Sequence, residues 1–209
     1  PTSLGDDFSL YRHAPWLIAD HALSILPDLS ALYSLRKGSI PSRAARPFFG
    51  IGNPLLPGTA IADPARADLG DLLRSLQPLP DSADELSGLA GILNAGQDDV
   101  LVEAQATESR LKQIQLSQYR VIAFATHGLM AGDFGRLREP GLVLTPPAVA
   151  TEDDDGLLGA VEVAALELDA DWVILSACNT AAADGSIGAE GLSGLARAFF
   201  FAGSRSLLV

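Results

Sequence analysis

Cysteine is nearly absent from this sequence: Cys178 is the single one in 209 residues, so no internal disulfide can form and a reducing compartment such as the cytosol is the expected setting. Long apolar runs are missing too. No stretch reaches the roughly 18 residues of a membrane helix, and the N-terminus lacks the charged-then-apolar pattern of a signal peptide, so a soluble cytoplasmic protein is expected. Positive charge is scarce, with 14 basic against 26 acidic residues and a formal net charge of -12. Binding to nucleic acid or an anionic membrane would work against that charge, and the expected partner is a protein or peptide, a basic one fitting best. The chain carries no Gly-x-x-x-x-Gly-Lys loop, no His-Glu-x-x-His, no Gly-x-Ser-x-Gly elbow and no zinc-spaced Cys and His. Gly50-Ile51-Gly52 is followed by Leu55 where a dinucleotide fingerprint needs glycine. Neither metal nor cofactor is expected.

What is present is enough apolar residue, 48% of the chain, to bury a sizeable core. Runs rich in β-branched and aromatic residues predict strands at Pro47–Ile51, Val100–Val102, Arg120–Ala125, Gly141–Leu144, Trp172–Ala177 and Ser206–Val209. The runs Val121–Ala125 and Trp172–Ala177 are apolar almost throughout, as strands buried on both faces in a parallel sheet would be. Helical spacing lies between them: Thr107, Leu111 and Ile114; Val161, Ala164, Ala165 and Leu168; Leu192, Leu195, Ala196 and Phe199, with Gly203 placed for a C-terminal cap. Strands alternating with helices predict an α/β fold with crossover connections. The stretches 54–63, 128–139 and 145–155 read as loops. Residues 1–46 read as an irregular lead-in and 47–209 as the domain. The chain starts without methionine and stops in Ser206-Leu207-Leu208-Val209, a strand cut short, so a piece of a longer protein is expected, lacking the C-terminal part of its fold.

Two short motifs carry chemistry. Thr126-His127-Gly128 follows one predicted buried strand and Ser176-Ala177-Cys178-Asn179-Thr180 follows another, so each lies at a C-terminal strand end, the edge where open α/β sheets form their sites. A cysteine attacks as thiolate, and a neighbouring histidine can take its proton. Gly128 lets the backbone approach a substrate carbonyl, and its N–H with that of Cys178 could form an oxyanion hole. Histidine precedes cysteine by 51 residues, close to the spacing in caspases.

The segments Ala-Thr-His-Gly at 125–128 and Leu-Ser-Ala-Cys-Asn-Thr at 175–180 resemble the paired motifs of the CHAT-domain family, a caspase- and separase-like branch of cysteine peptidases. Further likeness lies in Leu26–Leu32, Gly50–Pro54, Ala106–Glu108, Leu142–Leu144 and Gly188–Gly203. The resemblance implies a caspase-like three-layer α/β sandwich with a mostly parallel central sheet, and peptide-bond cleavage by a Cys178–His127 dyad without metal or cofactor. It also implies a bacterial setting and an associated tetratricopeptide-repeat or other sensor module; this sequence holds no such repeat.

Around the dyad, Ser176, Asn179, Met130, Asp133 and Phe134 are candidates for lining the substrate pocket. In relatives specific for basic residues, the position two before the cysteine is often acidic; here it is Ser176, so no ready-made pocket for arginine or lysine is read from the motif, and a small or apolar residue stays equally open. Acidic candidates for such a pocket remain in Asp133, Asp153, Asp154, Asp155 and Asp184, which read rather as solvated loop charges. His13 and His21 read as structural or surface residues. Two function classes follow: a cysteine endopeptidase, or a catalytically quiet interaction domain on the same fold. Serine hydrolysis through Ser176 or Ser193 lacks an elbow.

Overall fold

The computed structural model describes residues 14–21, 41–59, 67–135, 137–176 and 189–209, in two compact units, Pro1–Gly38 and Ser39–Val209. In the first unit a short helix spans Leu17–Asp20. Among its described residues the second unit holds eight strands: β1 Arg46–Pro54, β2 Val100–Glu103, β3 Tyr119–Ala125, β4 Gly128–Leu129, β5 Gly141–Val143, β6 Leu157–Gly159, β7 Trp172–Leu175 and β8 Leu207–Leu208. Its helices are α1 Leu69–Arg74, α2 Asp81–Ile92, α3 Glu108–Lys112, α4 Ala160–Ala165 and α5 Ala189–Ala202.

Five strands, ordered β2-β1-β3-β7-β8, form a sheet in which every pairing is parallel. Alternation along the strands sorts their side chains to two faces. On one, Phe48, Val100, Ala123 and Ala125 meet Leu86 and Ala90, which stand one turn apart on α2. On the other, Phe49, Ile51, Ile122 and Phe124 meet Leu111 of α3, Val163 of α4 and Leu195 and Phe199 of α5. Helices on both faces of a mostly parallel sheet make the three-layer α/β architecture read from the sequence. Phe124 and Phe199 are fully buried with ring centroids 5.3 Å apart, each burial contributing about 2–3 kcal/mol.

Local chemistry sets the helix ends. Thr107 caps α3 by accepting from the Arg110 amide at 3.2 Å, and Asp68 caps α1 by accepting from Asp71 at 2.7 Å. Asp81 and Asp84 place negative charge in the first turn of α2, where the helix dipole favours it. Gly203 follows α5 with φ of 114°.

Several expectations are corrected. Gly141–Val143 does not join the parallel sheet: it is the middle strand of a separate antiparallel sheet, β4-β5-β6. Residues 128 and 129, read as loop, form its edge. On α4 the inward residues are Val163 and, half-buried, Ala164, with Leu168 buried beyond the helix as expected, while Val161 is 71% exposed. β7 is covered only in part on the α2 face: Ile174 packs there half-buried, while Trp172 is 48% exposed. Helices α1 and α2 and strand β6 were not anticipated. The side chain of Leu192 lies outside the described residues.

Candidate functional site

Strand β3 lies at the middle of the five-stranded sheet, and its C-terminal end delivers Thr126 and His127 to the sheet edge. The second sheet fixes the path of the chain there. Buried Thr126 donates its hydroxyl to the Val143 carbonyl, and the Val143 amide donates to the His127 carbonyl at 2.8 Å. The half-buried imidazole is fixed as well, with Nε2 2.8 Å from the backbone carbonyl of Gln77, just before α2. A carbonyl can only accept, so Nε2 carries the hydrogen and, in the neutral ring, Nδ1 is left with a free lone pair.

Gly128 faces Leu142 across the β4–β5 ladder, between the Val143–His127 bond and the Leu129–Gly141 pair. In antiparallel alternation this is the position whose amide turns away from the partner strand. Because β4 is the edge of its sheet among the described residues, the Gly128 N–H projects outward from the ladder.

Beside β3, strand β7 runs in parallel with Phe124 opposite Leu175, and the Ser176 amide extends the pairing by donating to the Phe124 carbonyl at 2.9 Å. His127 is three residues beyond Phe124, and Cys178 three residues beyond Leu175. Cys178 and Asn179 themselves, and Asp184, lie outside the described residues. Exposed Ser176 donates its hydroxyl to the Glu85 carboxylate of α2 at 2.9 Å.

The loop after β4 carries the other candidates. The Asp133 carboxylate accepts from the Met130 amide at 2.7 Å, so it shapes its own turn. Phe134 is 39% exposed with φ of 54°. Half-buried Met130, with Pro140, Leu142, Leu175 and Leu195, surrounds an apolar cavity of about 10 Å³ beneath Gly128. That volume is no larger than one water needs, so it seats no substrate side chain. A larger hollow of about 570 Å³ follows edge strand β2 between Gln97 and Arg110, with β1 separating it from β3.

The acidic loop at 151–156 is tied down rather than free. Glu108, 1% exposed, accepts from the amides of Asp155 at 2.9 Å and Gly156 at 2.7 Å and from Lys112 at 3.1 Å. Lys112 also donates to Glu162 at 2.6 Å and to the Asp153 carbonyl. Burial, reinforced by the nearby Glu162 charge, pushes the Glu108 carboxyl up to about 7. Burial pushes Lys112 down, but its bonds to Glu162 and Glu108 outweigh that and hold it above the ordinary lysine range. Asp154 accepts from the Ser109 amide at 3.2 Å, and Asp155 accepts from Leu157 at 2.9 Å, its carboxyl raised by burial. Among the described residues no cluster of three or more His, Cys, Asp or Glu could hold a metal ion.

Two residues escaped the sequence reading. Gln77 acts through its backbone carbonyl, so its side chain carries no signal. Glu85 could have been found only by recognising a helix start at Pro80-Asp81, which places acidic residues at the sheet edge.

An all-parallel five-stranded sheet flanked by helices, with a histidine presented at the end of its central strand, defines an α/β domain of caspase-like architecture. The chain belongs to the CHAT domain family, whose model matches residues 7–209. Comparison with curated proteins and with solved structures returned no match. Among the described residues, no helix is long and apolar enough to cross a membrane.

Proposed function

We propose that the chain is a cysteine endopeptidase in which Cys178 attacks a peptide carbonyl, His127 takes the thiol proton on Nδ1 and later delivers it to the leaving amine, and the Gly128 and Cys178 amides hold the developing oxyanion. The observation that carries this reading is the bond from His127 Nε2 to the Gln77 carbonyl. It leaves the imidazole with a lone pair at Nδ1 and restrains the ring, which a general base requires. The outward Gly128 amide adds a donor of the kind that stabilises tetrahedral intermediates. The substrate is a protein or peptide, the setting cytoplasmic and bacterial, and a repeat or sensor partner arranges the loops around the thiol.

Since the chain has one cysteine, alkylation reports on Cys178 alone. Labelling by peptidyl electrophiles is expected to slow by about 100-fold or more in His127→Ala, the range of general acid–base contributions. Cys178→Ala should abolish peptide cleavage. Labelling that is slow, indifferent to the peptide and indifferent to His127 would leave the quiet interaction domain as the reading.

A further inference from the structure

A run of buried hydrogen bonds joins the Glu108 carboxylate to the backbone that presents His127. Glu108 accepts from the Gly156 amide at 2.7 Å, and the Gly156 carbonyl accepts from the Leu144 amide at 2.8 Å. The Leu144 N–H and the Val143 carbonyl belong to one planar peptide, so that plane cannot turn at one end without turning at the other. Its carbonyl accepts the Thr126 hydroxyl, and the Val143 amide donates to the His127 carbonyl at 2.8 Å. Glu108 and Thr126 are 1% and 2% exposed, and Gly156, Val143 and Leu144 are buried, so water offers these bonds no substitute partner. The run has little slack. Gly156 has φ of 91°, and a Cβ added there would stand 2.8 Å from the Cα of Pro146. Thr145, next to Leu144, is tied to the approach to α3, its amide donating to the Ala106 carbonyl at 2.8 Å.

We propose that Glu108 is a positioning residue of the candidate site: through Gly156 and the Val143–Leu144 peptide, its buried carboxylate fixes the backbone that carries His127 and Gly128. The inference rests on the peptidase reading and adds to it a residue outside the dyad that acts through the main chain. A side chain that only fastened the loop at 151–156 would need no charge. An anionic oxygen, however, draws the Asp155 and Gly156 amides more strongly than a neutral one does. Glu108 changes charge at about 7, so these bonds tighten as pH rises through neutrality and slacken below it. The charged groups around it are Lys112 on its own helix, Glu162 on α4, and Asp153, Asp154 and Asp155 in the loop. Lys112 favours the ionised form and Glu162 opposes it. Ionisation thus carries a burial cost for Glu108 while it sharpens the placement of His127.

The test takes one measurement on the backbone and one on the thiol, in native protein, Glu108→Gln and Lys112→Met. Glutamine keeps the size of the side chain and one acceptor oxygen, and loses the charge. Amide hydrogen exchange at pH 8, followed by NMR, should be about tenfold faster at Gly156, Leu144 and Val143 in Glu108→Gln, relative to Ile51 and Ile122 of the parallel sheet. Equal acceleration at all five amides would reduce Glu108 to a contributor to global stability and overturn the proposal, as would no change at Val143 and Leu144. The thiol is read by the ratio of its labelling rate with a peptidyl chloromethyl ketone to that with iodoacetamide, in which the thiolate fraction cancels. The native ratio divided by that of Glu108→Gln should grow from near one at pH 6 to about ten at pH 8. In Lys112→Met the rise should move to higher pH. A quotient constant with pH would overturn the role of Glu108 and leave the peptidase standing; if Glu108→Gln does not fold, a profile that Lys112→Met leaves unmoved overturns it instead. Labelling that is slow and indifferent to both peptide and His127 removes the peptidase reading, and the positioning role falls with it whatever the exchange shows.

Discussion

Gly52 lies where two backbones approach closely at the edge that bears the candidate site. It pairs with Ala125, the last residue of β3, and a Cβ added at Gly52 would stand 2.2 Å from the Ala125 carbonyl oxygen. No side-chain rotation relieves a contact between Cβ and backbone, so Gly52→Ala must part β1 from β3 just before Thr126 and His127. A loss of about 2–3 kcal/mol in urea unfolding is expected, as for other enforced backbone strain, together with slower labelling of Cys178. Stability within about 0.5 kcal/mol of native would mean that the strand ends yield freely. The same scale decides what the sequence could reveal about the site. Gly128 could be proposed from the sequence because a glycine after a strand-end histidine has a chemical reason to be there. Gln77 was not, since any residue supplies a carbonyl, and only the fold brings that one to His127.

Helix α3 and the acidic loop at 151–156 act as one element because a single buried carboxylate joins them. Glu108 spends one oxygen on the Asp155 and Gly156 amides and the other on Lys112. Its carboxyl sits at about 7 in the fold and at 4.5 in the ordinary range, so across that interval the folded state binds a proton that the unfolded state does not. The stabilisation is fully present below the ordinary range and is lost as pH rises through about 7, with a ceiling on the order of 3 kcal/mol. Urea midpoints from pH 5 to 8 should fall more steeply for the native protein than for Glu108→Gln, the difference isolating this group from Asp155, whose raised carboxyl acts in the same direction. Parallel slopes in the two proteins would show that Glu108 stays ionised throughout. Sequence reading took Asp153, Asp154 and Asp155 for solvated charges, which fits exposed Asp153 but not Asp154, whose partner Ser109 lies 45 residues away. The strands were readable for the opposite reason, since apolar runs such as Tyr119–Ala125 need no distant partner to announce themselves. The short strands β4 and β6 carry only two and three residues, too few to show a period.

The molecule holds two sheets of different kind on one core, and that union places Gly128 beside the end of β3. Leu142, Leu144 and Leu158, from β5, its continuation and β6, are fully buried in the same cluster as Phe49, Ile122 and Phe124 of the parallel sheet. Composition foresaw a large apolar core but could not divide Gly141–Leu144 from the other strands, because a strand buried against a second sheet has the same apolar text as one within the first. Shared burial makes the antiparallel sheet cooperative with the rest rather than an ornament on it. Leu142→Ala, which opens a cavity at the contact between the sheets, is therefore expected to cost about 3 kcal/mol and to lower the whole unfolding transition. Unfolding should remain a single step whether followed by far-ultraviolet circular dichroism or by tryptophan fluorescence, and a separate early transition in the variant would mean that the sheet bearing Gly128 folds on its own. Because Leu142 also pairs with Gly128, the same variant should loosen the proposed oxyanion donor and slow peptide-dependent labelling of Cys178 under conditions where the protein is still fully folded. A variant that loses stability yet labels at the native rate would uncouple the second sheet from the chemistry proposed at its edge.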